Sequence, residues 1–190
     1  MDQQDRGITP VISTILMVAI VVILAATVSV SFLGVAEDSI EPAPNVADTT
    51  GEFAVTPPGE TAGSKQIVRI THIAGEGVAV SELEIVVRAS GPSLDTTARL
   101  VSLPADDTTV DGKNIEGNKG LITKNKAVQV IQEDDSNVWS AGQTIAFRIN
   151  TGEADFREPP KGGNPNADEL EVIIVHTPSN AIISENTFRP

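Results

Sequence analysis

An uncharged apolar run near the N-terminus constrains this chain more than any other feature. Residues 8–36 contain no charged side chain, and Arg6 and Glu37 stand on either side of them. Within residues 11–33 the polar side chains are hydroxyls, which can bond back to helix carbonyls and so tolerate lipid. Because about 20 helical residues cross a bilayer, the run predicts one membrane-spanning helix over residues 8–36.

The residues at either end of this helix indicate where it begins and ends. Thr9 can cap the helix, and Pro10 suits its first turn, where no backbone donor is needed. Gly34 suits the end of the helix. A hydrophilic leader, residues 1–7, precedes the helix, and a polar linker containing Pro-Ala-Pro follows it over residues 37–50.

The remaining residues, 51–190, predict an all-β extracellular domain. Leu83, Ile85 and Val87 alternate with polar residues, so one face of that strand is buried. Short strands separated by Gly and Pro turns are typical of an antiparallel, Ig-like β-sandwich. We predict strands at residues 66–73, 83–87, 99–103, 127–131, 144–149, 169–176 and 181–188, the one at 169–176 central in its sheet, and long exposed loops at 106–120 and 155–168.

Composition excludes several classes of function. The 26 acidic residues against 13 basic ones give a net charge of −13, which opposes binding to nucleic acid backbones. Such acidity serves ordinary solubility or the hydrated surface of a halophilic protein, and the twofold excess of acids favours the halophilic interpretation. The chain has no cysteine, which excludes disulfides and thiolate metal sites.

Three fates are open to the apolar run. It could be a secretory signal peptide cut after Ala36, although it is long for one and its leader has a single basic residue. It could be a permanent membrane anchor, since Arg6 favours a cytoplasmic N-terminus. It could also be the helix of a prepilin, because Arg6 and Gly7 lie directly before the helix. A peptidase cutting between Gly7 and Ile8 would leave the helix on the mature protein.

The start of the chain resembles archaeal type IV pilins, especially those of halophilic archaea. The resemblance rests on Arg-Gly-Ile-Thr-Pro-Val-Ile at residues 6–12 and the apolar stretch that follows. It implies a prepilin peptidase cleavage site formed by Arg6, Gly7 and Ile8. Bacterial type IV pilins generally carry a glutamate at the fifth mature position, which here is Ile12, and archaeal members commonly lack it. Archaellum subunits share a related helix, but Pro10 and its neighbours look more like a pilin.

The resemblance implies a structural subunit of an extracellular filament on the cell surface. Before assembly, the precursor would lie in the cytoplasmic membrane. It implies as partners further copies of the chain, a prepilin peptidase, the pilus assembly machinery and the membrane before assembly, with surface adhesion or cell–cell contact as the role. A membrane-anchored surface β-domain that binds a partner without polymerising is the alternative. The filament-core positions are Pro10, Ile12, Leu16, Ala19, Ile23, Ala26, Val30 and Leu33.

Catalytic motifs are missing from the sequence. It has no GxSxG, no HExxH and no phosphate loop, so we expect neither an enzyme nor a cofactor. His72 and His176 each end a predicted strand and suit hydrogen-bonded residues at a sheet edge. Asp107, Asp111 and Glu116 are weak candidates for a calcium loop, which lacks the glutamate expected at the twelfth position. A solvated acidic loop is the simpler interpretation.

Overall fold

The computed structural model divides the chain into two units, Met1–Glu41 and Pro42–Pro190. Each unit is described by itself. The described residues are 5–37, 42–56, 66–104, 110, 112–124 and 137–190.

The first unit contains helix α1, Asp5–Glu37. The predicted membrane helix therefore exists, but it begins before Thr9 and continues past Gly34, so the predicted cap and the predicted end are both wrong. Pro10 lies inside the helix rather than in its first turn. Its missing N–H removes the bond that would reach the Arg6 carbonyl, and the helix continues past this loss.

The second unit is built from β-strands, all paired antiparallel. Its described residues also contain one short 3-10 turn, Val80–Glu82. The strands are β1 (Val46–Val55), β2 (Gln66–Gly75), β3 (Val78–Ala79), β4 (Leu83–Gly91), β5 (Leu94–Leu100), β6 (Ile115–Gly117), β7 (Val138–Trp139), β8 (Thr144–Ile149), β9 (Glu169–His176) and β10 (Ala181–Phe188). They form sheets in the orders β1-β2-β8, β10-β9-β4-β5-β6 and β3-β7.

One hydrophobic cluster joins the two larger sheets. Along β2, β4, β8 and β9 every second side chain is buried, which is the alternation that a sheet with one packed face requires. The buried side chains of these strands belong to one cluster, in which Trp139 and Phe147 are the largest fully buried residues. The predicted combination of an N-terminal helix and an antiparallel β-domain is confirmed, and its Ig-like sandwich detail stays a prediction.

The edges of the two larger sheets meet where β1 lies beside β10. The Thr49 and Ser184 hydroxyl oxygens are 2.8 Å apart, and the Phe53 and Phe188 ring centroids are 5.8 Å apart. Between these contacts stands Gly51, where a Cβ would lie 2.7 Å from the Phe188 ring. The absence of a side chain at this position lets the strands approach. Each edge is thereby covered by the other, which protects both from pairing with foreign strands.

Strand predictions based on alternation or β-branched runs were largely confirmed. The strands at 66–73, 83–87, 144–149, 169–176 and 181–188 correspond to β2, β4, β8, β9 and β10. As predicted, β9 is interior to its sheet. The strand predicted at 127–131 lies outside the described residues.

Two strand boundaries were predicted wrongly. β5 ends at Leu100 rather than continuing to Leu103, because Ser102 adopts a left-handed backbone conformation with φ of 54° that a strand cannot accommodate. β1 begins at Val46, inside the predicted linker 37–50, because its backbone finds a partner in β2 along the whole strand.

The two predicted exposed loops are partly buried. In the segment 106–120, β6 adds a strand to the larger sheet, and Asn114 and Ile115 are buried. Its residues 106–109 and 111 lie outside the described part of the chain. The segment 155–168 begins with buried residues, and the prediction that it is exposed is wrong for this part.

A buried ion pair holds the start of that segment. The Asp155 carboxylate accepts hydrogen bonds from Arg157 Nε at 2.7 Å, from the Lys161 backbone N–H at 3.0 Å and from Asn164 Nδ2 at 3.0 Å. Burial alone would raise the pKa of the Asp155 carboxyl, but the Arg157 hydrogen bond and the others lower this pKa to about 2. We call these four residues the Asp155 cluster.

The side chain of Gln66 fastens this segment to β2. Gln66 Nε2 donates to the Ala154 carbonyl at 2.7 Å, and its Oε1 accepts the Phe156 N–H at 2.7 Å. Gln66 is fully buried, so both ends of its amide need these partners. Near the other end of the segment 155–168, the backbone of Asn166 packs against Gly91 on β4. A Cβ at Gly91 would lie 2.3 Å from the Asn166 carbonyl oxygen.

Candidate assembly helix and processing site

The surface of α1 is apolar all round. From Val11 to Ser29, over 19 residues, no side chain is buried within the chain. At 1.5 Å per residue this stretch is about 28 Å long, close to the thickness of a bilayer core. Its length and composition therefore suit a membrane span. Its apolar side chains are not covered by the rest of the chain, so they need lipid or another protein around them.

Three hydroxyl side chains of this stretch are satisfied within the helix. Thr14, Thr27 and Ser29 each donate to a carbonyl one turn earlier, so these three need no water or partner in an apolar environment. The bonds are Thr14 Oγ1 to Val11 O at 2.9 Å, Thr27 Oγ1 to Leu24 O at 2.9 Å and Ser29 Oγ to Ala25 O at 2.8 Å.

The predicted filament-core positions from Ile12 to Leu33 lie on one face of α1. They recur at intervals of three and four residues, and residues at this spacing share a face of a helix, whereas Pro10 precedes Ile12 by only two residues and lies off this face. The described side chains in this set are all exposed: Ile12, Leu16, Ala19, Ile23 and Ala26. Pro10, Val30 and Leu33 belong to the same helix, and their side chains lie outside the described part. Contact of this face with other copies stays a prediction.

The predicted cleavage site lies in the first turns of the same helix. Arg6, Gly7 and Ile8 all have helical backbone in α1. Glycine is a poor helix former, and Pro10 removes the hydrogen bond that would reach the Arg6 carbonyl. The helix is therefore intrinsically weakest around the Gly7–Ile8 bond. Cleavage there stays a prediction.

This helical segment also matches a known family. Residues 6–47 fit the family model described as archaeal type IV pilin, N-terminal. This segment is therefore similar to the N-terminal part of those pilins. The match includes the candidate cleavage site, the rest of helix α1 and the first residues of β1. No curated protein matches the chain. The N-terminal part of the chain is thus type IV pilin-like, as the residues around Arg6 and Gly7 indicate.

The weak calcium candidates are not brought together by the described structure. Asp107 and Asp111 lie outside it. Glu116 lies on β6, and its carboxylate is 3.3 Å from Arg99 Nη1. This carboxylate therefore already forms an ion pair within the chain. Among the residues that the structure describes, no group of three His, Asp or Glu side chains could hold a metal ion.

His72 is buried on the middle strand of the three-stranded sheet, so its predicted place at a sheet edge is wrong. Its Nδ1 lies 3.2 Å from the Trp139 carbonyl oxygen, and its Nε2 lies 3.0 Å from that of Ala74. The imidazole also lies against the Trp139 ring, with centroids 4.9 Å apart. These contacts give His72 a structural role in joining β2 to β7.

His176 is also buried, at the end of an interior strand. Its Nδ1 is 2.7 Å from Ser179 Oγ, and its Nε2 is 3.6 Å from a Glu82 carboxylate oxygen. Sequence reasoning missed this Ser–His contact, although the spacing of three across a predicted turn was its signal. Ser179 Oγ also accepts the Ala181 N–H at 3.4 Å, and Thr177 donates to the Glu82 carbonyl. The group therefore fixes the turn between β9 and β10.

Proposed function

We propose that this chain is a structural subunit of an extracellular type IV pilus-like filament. The observation that carries the proposal is the family match of residues 6–47 to archaeal type IV pilins, on a helix whose side chains between Val11 and Ser29 are all exposed. Such a surface needs an apolar environment, which the membrane provides before assembly and other copies of α1 provide afterwards.

Packing must determine how copies of α1 associate. Lipid and a filament core are both apolar, so the hydrophobic effect provides little net drive for transfer between them. At Ile12 there is no carboxylate to pair with a neighbouring amine, so close contacts at small residues such as Ala19 and Ala26 select the register. The pilus assembly machinery would supply the work of extracting the helix from the membrane.

The leader is removed, in this proposal, by a prepilin peptidase that cuts between Gly7 and Ile8. A peptidase binds its substrate in an extended conformation, so the first turns of α1 must unwind. Gly7 and Pro10 both lower the cost of unwinding there. Removal of Asp2, Asp5 and Arg6 takes away three charged side chains and leaves the new α-amino group of Ile8 as the charge at the helix start.

Substitution of Gly7 tests the proposal. We expect the native chain to begin at Ile8 by mass spectrometry. Gly7→Leu should keep its leader and yield no filaments while still inserting in the membrane, because its bulk does not fit at a small-residue cleavage site. Gly7→Ala is the matched control and should be processed.

Other termini would contradict the proposal. A native chain that begins at Glu37 would identify α1 as a discarded signal peptide. A native chain that keeps its leader and forms no filaments in electron micrographs would identify a membrane-anchored surface domain. Normal filaments from Gly7→Leu would exclude this cleavage as a requirement for assembly.

The β-unit is, in this proposal, a non-enzymatic surface domain that serves adhesion or cell–cell contact. Its two histidines are engaged in structural contacts, and the Ser179 hydroxyl takes part in a turn. Adhesion of cells that express the wild-type chain, compared with adhesion of cells that express Gly7→Leu, measures this role. Equal attachment would contradict it.

The proposal includes adaptation to concentrated salt. A net charge of −13 makes the folded chain repel itself in dilute buffer, and salt screens this repulsion. We expect the melting temperature of the full chain to rise steadily between dilute buffer and molar potassium chloride. A melting temperature that is already maximal in dilute buffer would contradict a halophilic origin.

A further inference from the structure

The outer face of the three-stranded sheet carries a spare positive charge. We define this face by the side chains of β2 and β8 that alternate with buried ones, together with those opposite them on β1. Arg69 lies 3.8 Å from Glu52 and is balanced by it. Arg148 is half-buried on β8, its Nε is buried without a hydrogen-bond partner, and Arg148 forms no ion pair within the part of the chain described. Its positive charge therefore has no described counter-charge, and the exposed part of its side chain can meet a carboxylate from outside.

The outer face of the five-stranded sheet carries a spare negative charge. Here the cations are already matched, since Arg88 lies 3.2 Å from Glu171 and Arg99 forms a bidentate pair with Glu84. Glu185 on β10 is exposed on the same face, and within the described ranges it forms no ion pair. Glu185 is therefore the counterpart of Arg148 on the opposite side of the hydrophobic cluster.

Both faces also expose apolar side chains. On the five-stranded outer face, Val86 stands opposite Ile173 and Val175 stands opposite Ile182, which makes a continuous patch across three strands. Ile182 is 59% exposed there, and Ile73 on the three-stranded outer face is 48% exposed. Each face thus combines exposed apolar side chains with unmatched charge of opposite sign: Arg148 on the three-stranded outer face, and Glu185 and Asp95 on the five-stranded outer face. This combination is typical of surfaces that associate specifically.

We propose that the three-stranded outer face of one copy packs on the five-stranded outer face of the next copy in the filament, with Arg148 opposite Glu185. This inference rests on the proposed function. A contact between two different faces is heterologous, and its repetition builds an open helical array rather than a closed dimer. Because copies with a net charge of −13 repel each other, the complementary pair selects this orientation over others.

Charge reversal in the full chain tests the contact. Arg148→Glu and Glu185→Arg each place like charges opposite one another, and each should reduce pelleted filaments at least about tenfold. The double variant carries both reversals, so opposite charges meet again in every contact and filaments should return. Lys119→Glu, an exposed charge reversal outside the named strands, is the matched control and should assemble normally.

The outcomes separate this contact from the function on which it rests. Absence of wild-type filaments would overturn the proposed function and the contact together. Normal wild-type filaments with unaffected single variants would overturn the contact alone. Failure of the double variant would indicate contact between like faces. A lower melting temperature of Arg148→Glu would show that Arg148 stabilises its own chain, and would also overturn the proposal.

Discussion

Arg157→Ala should lower the free energy of unfolding of the β-unit by about 3–5 kcal/mol, because it leaves the Asp155 carboxylate buried without its cation. Asp155 is fully buried, and the donors that remain to it in the variant are all neutral. They are the backbone N–H groups of residues 157 and 161 and Asn164 Nδ2. Chemical denaturation of wild type and variant, followed by Trp139 fluorescence, measures the loss.

Two control variants decide whether the buried charge is the cause. Asp155→Asn combined with Arg157→Ala removes the charge as well as its partner, and should lose less stability than Arg157→Ala alone. Arg88→Ala breaks an exposed ion pair with Glu171 and should change the unfolding free energy by less than about 1 kcal/mol. Equal losses in Arg157→Ala and Arg88→Ala would contradict the importance of burial.

The pH dependence of unfolding checks the same cluster. The pKa of Asp155 is lowered in the folded chain from its usual value of 3.8 to about 2. A lowered folded-state pKa stabilises the fold above the unfolded-state value, and this contribution is lost as the pH falls from about 4 to about 2. In Asp155→Asn combined with Arg157→Ala, this part of the acid dependence should disappear.

Ile20→Asp should prevent stable insertion of helix α1 and abolish the proposed filaments. Ile20 lies near the middle of the 19-residue apolar stretch of α1, where its side chain is exposed to the surrounding phase. A carboxylate at the centre of a membrane helix costs about 2.5–3.5 kcal/mol on insertion scales. In a filament core it would be a buried charge without a partner.

The membrane fraction and the filament yield measure this effect separately. Ile20→Ala is the matched control, because it shortens the side chain without adding charge, and it should still insert. Filaments of normal yield from Ile20→Asp would show that this part of α1 faces water in the assembled state, which would contradict a helix-packed core.

The sequence predicts those features that depend on short stretches of residues. The helix α1 follows from composition alone, and β4 and β9 follow from the alternation or density of apolar residues. The residues around Arg6 and Gly7 likewise point to the family. Each of these sequence patterns lies within one structural element. The pattern therefore predicts that element without knowledge of its tertiary contacts.

Long-range contacts explain what the sequence did not show. Gly, Pro and acidic residues made the segment 155–168 look exposed, but Gln66 on a distant strand buries its start through bonds to Ala154 and Phe156. Similarly, β1 contains Gly51 and lies next to a predicted linker, and its pairing with β2 determines its conformation. Tertiary context overrides local preference at both places.

The position of β1 determines how the β-unit would respond to tension. β1 is the first strand after α1, so a pull transmitted along the helix enters the unit at Val46. There it meets a strand joined to β2 from end to end and supported from the side by the Thr49 and Phe53 contacts with β10. The contacts between β1 and β10 thus also resist the removal of β1 from the β-unit under tension.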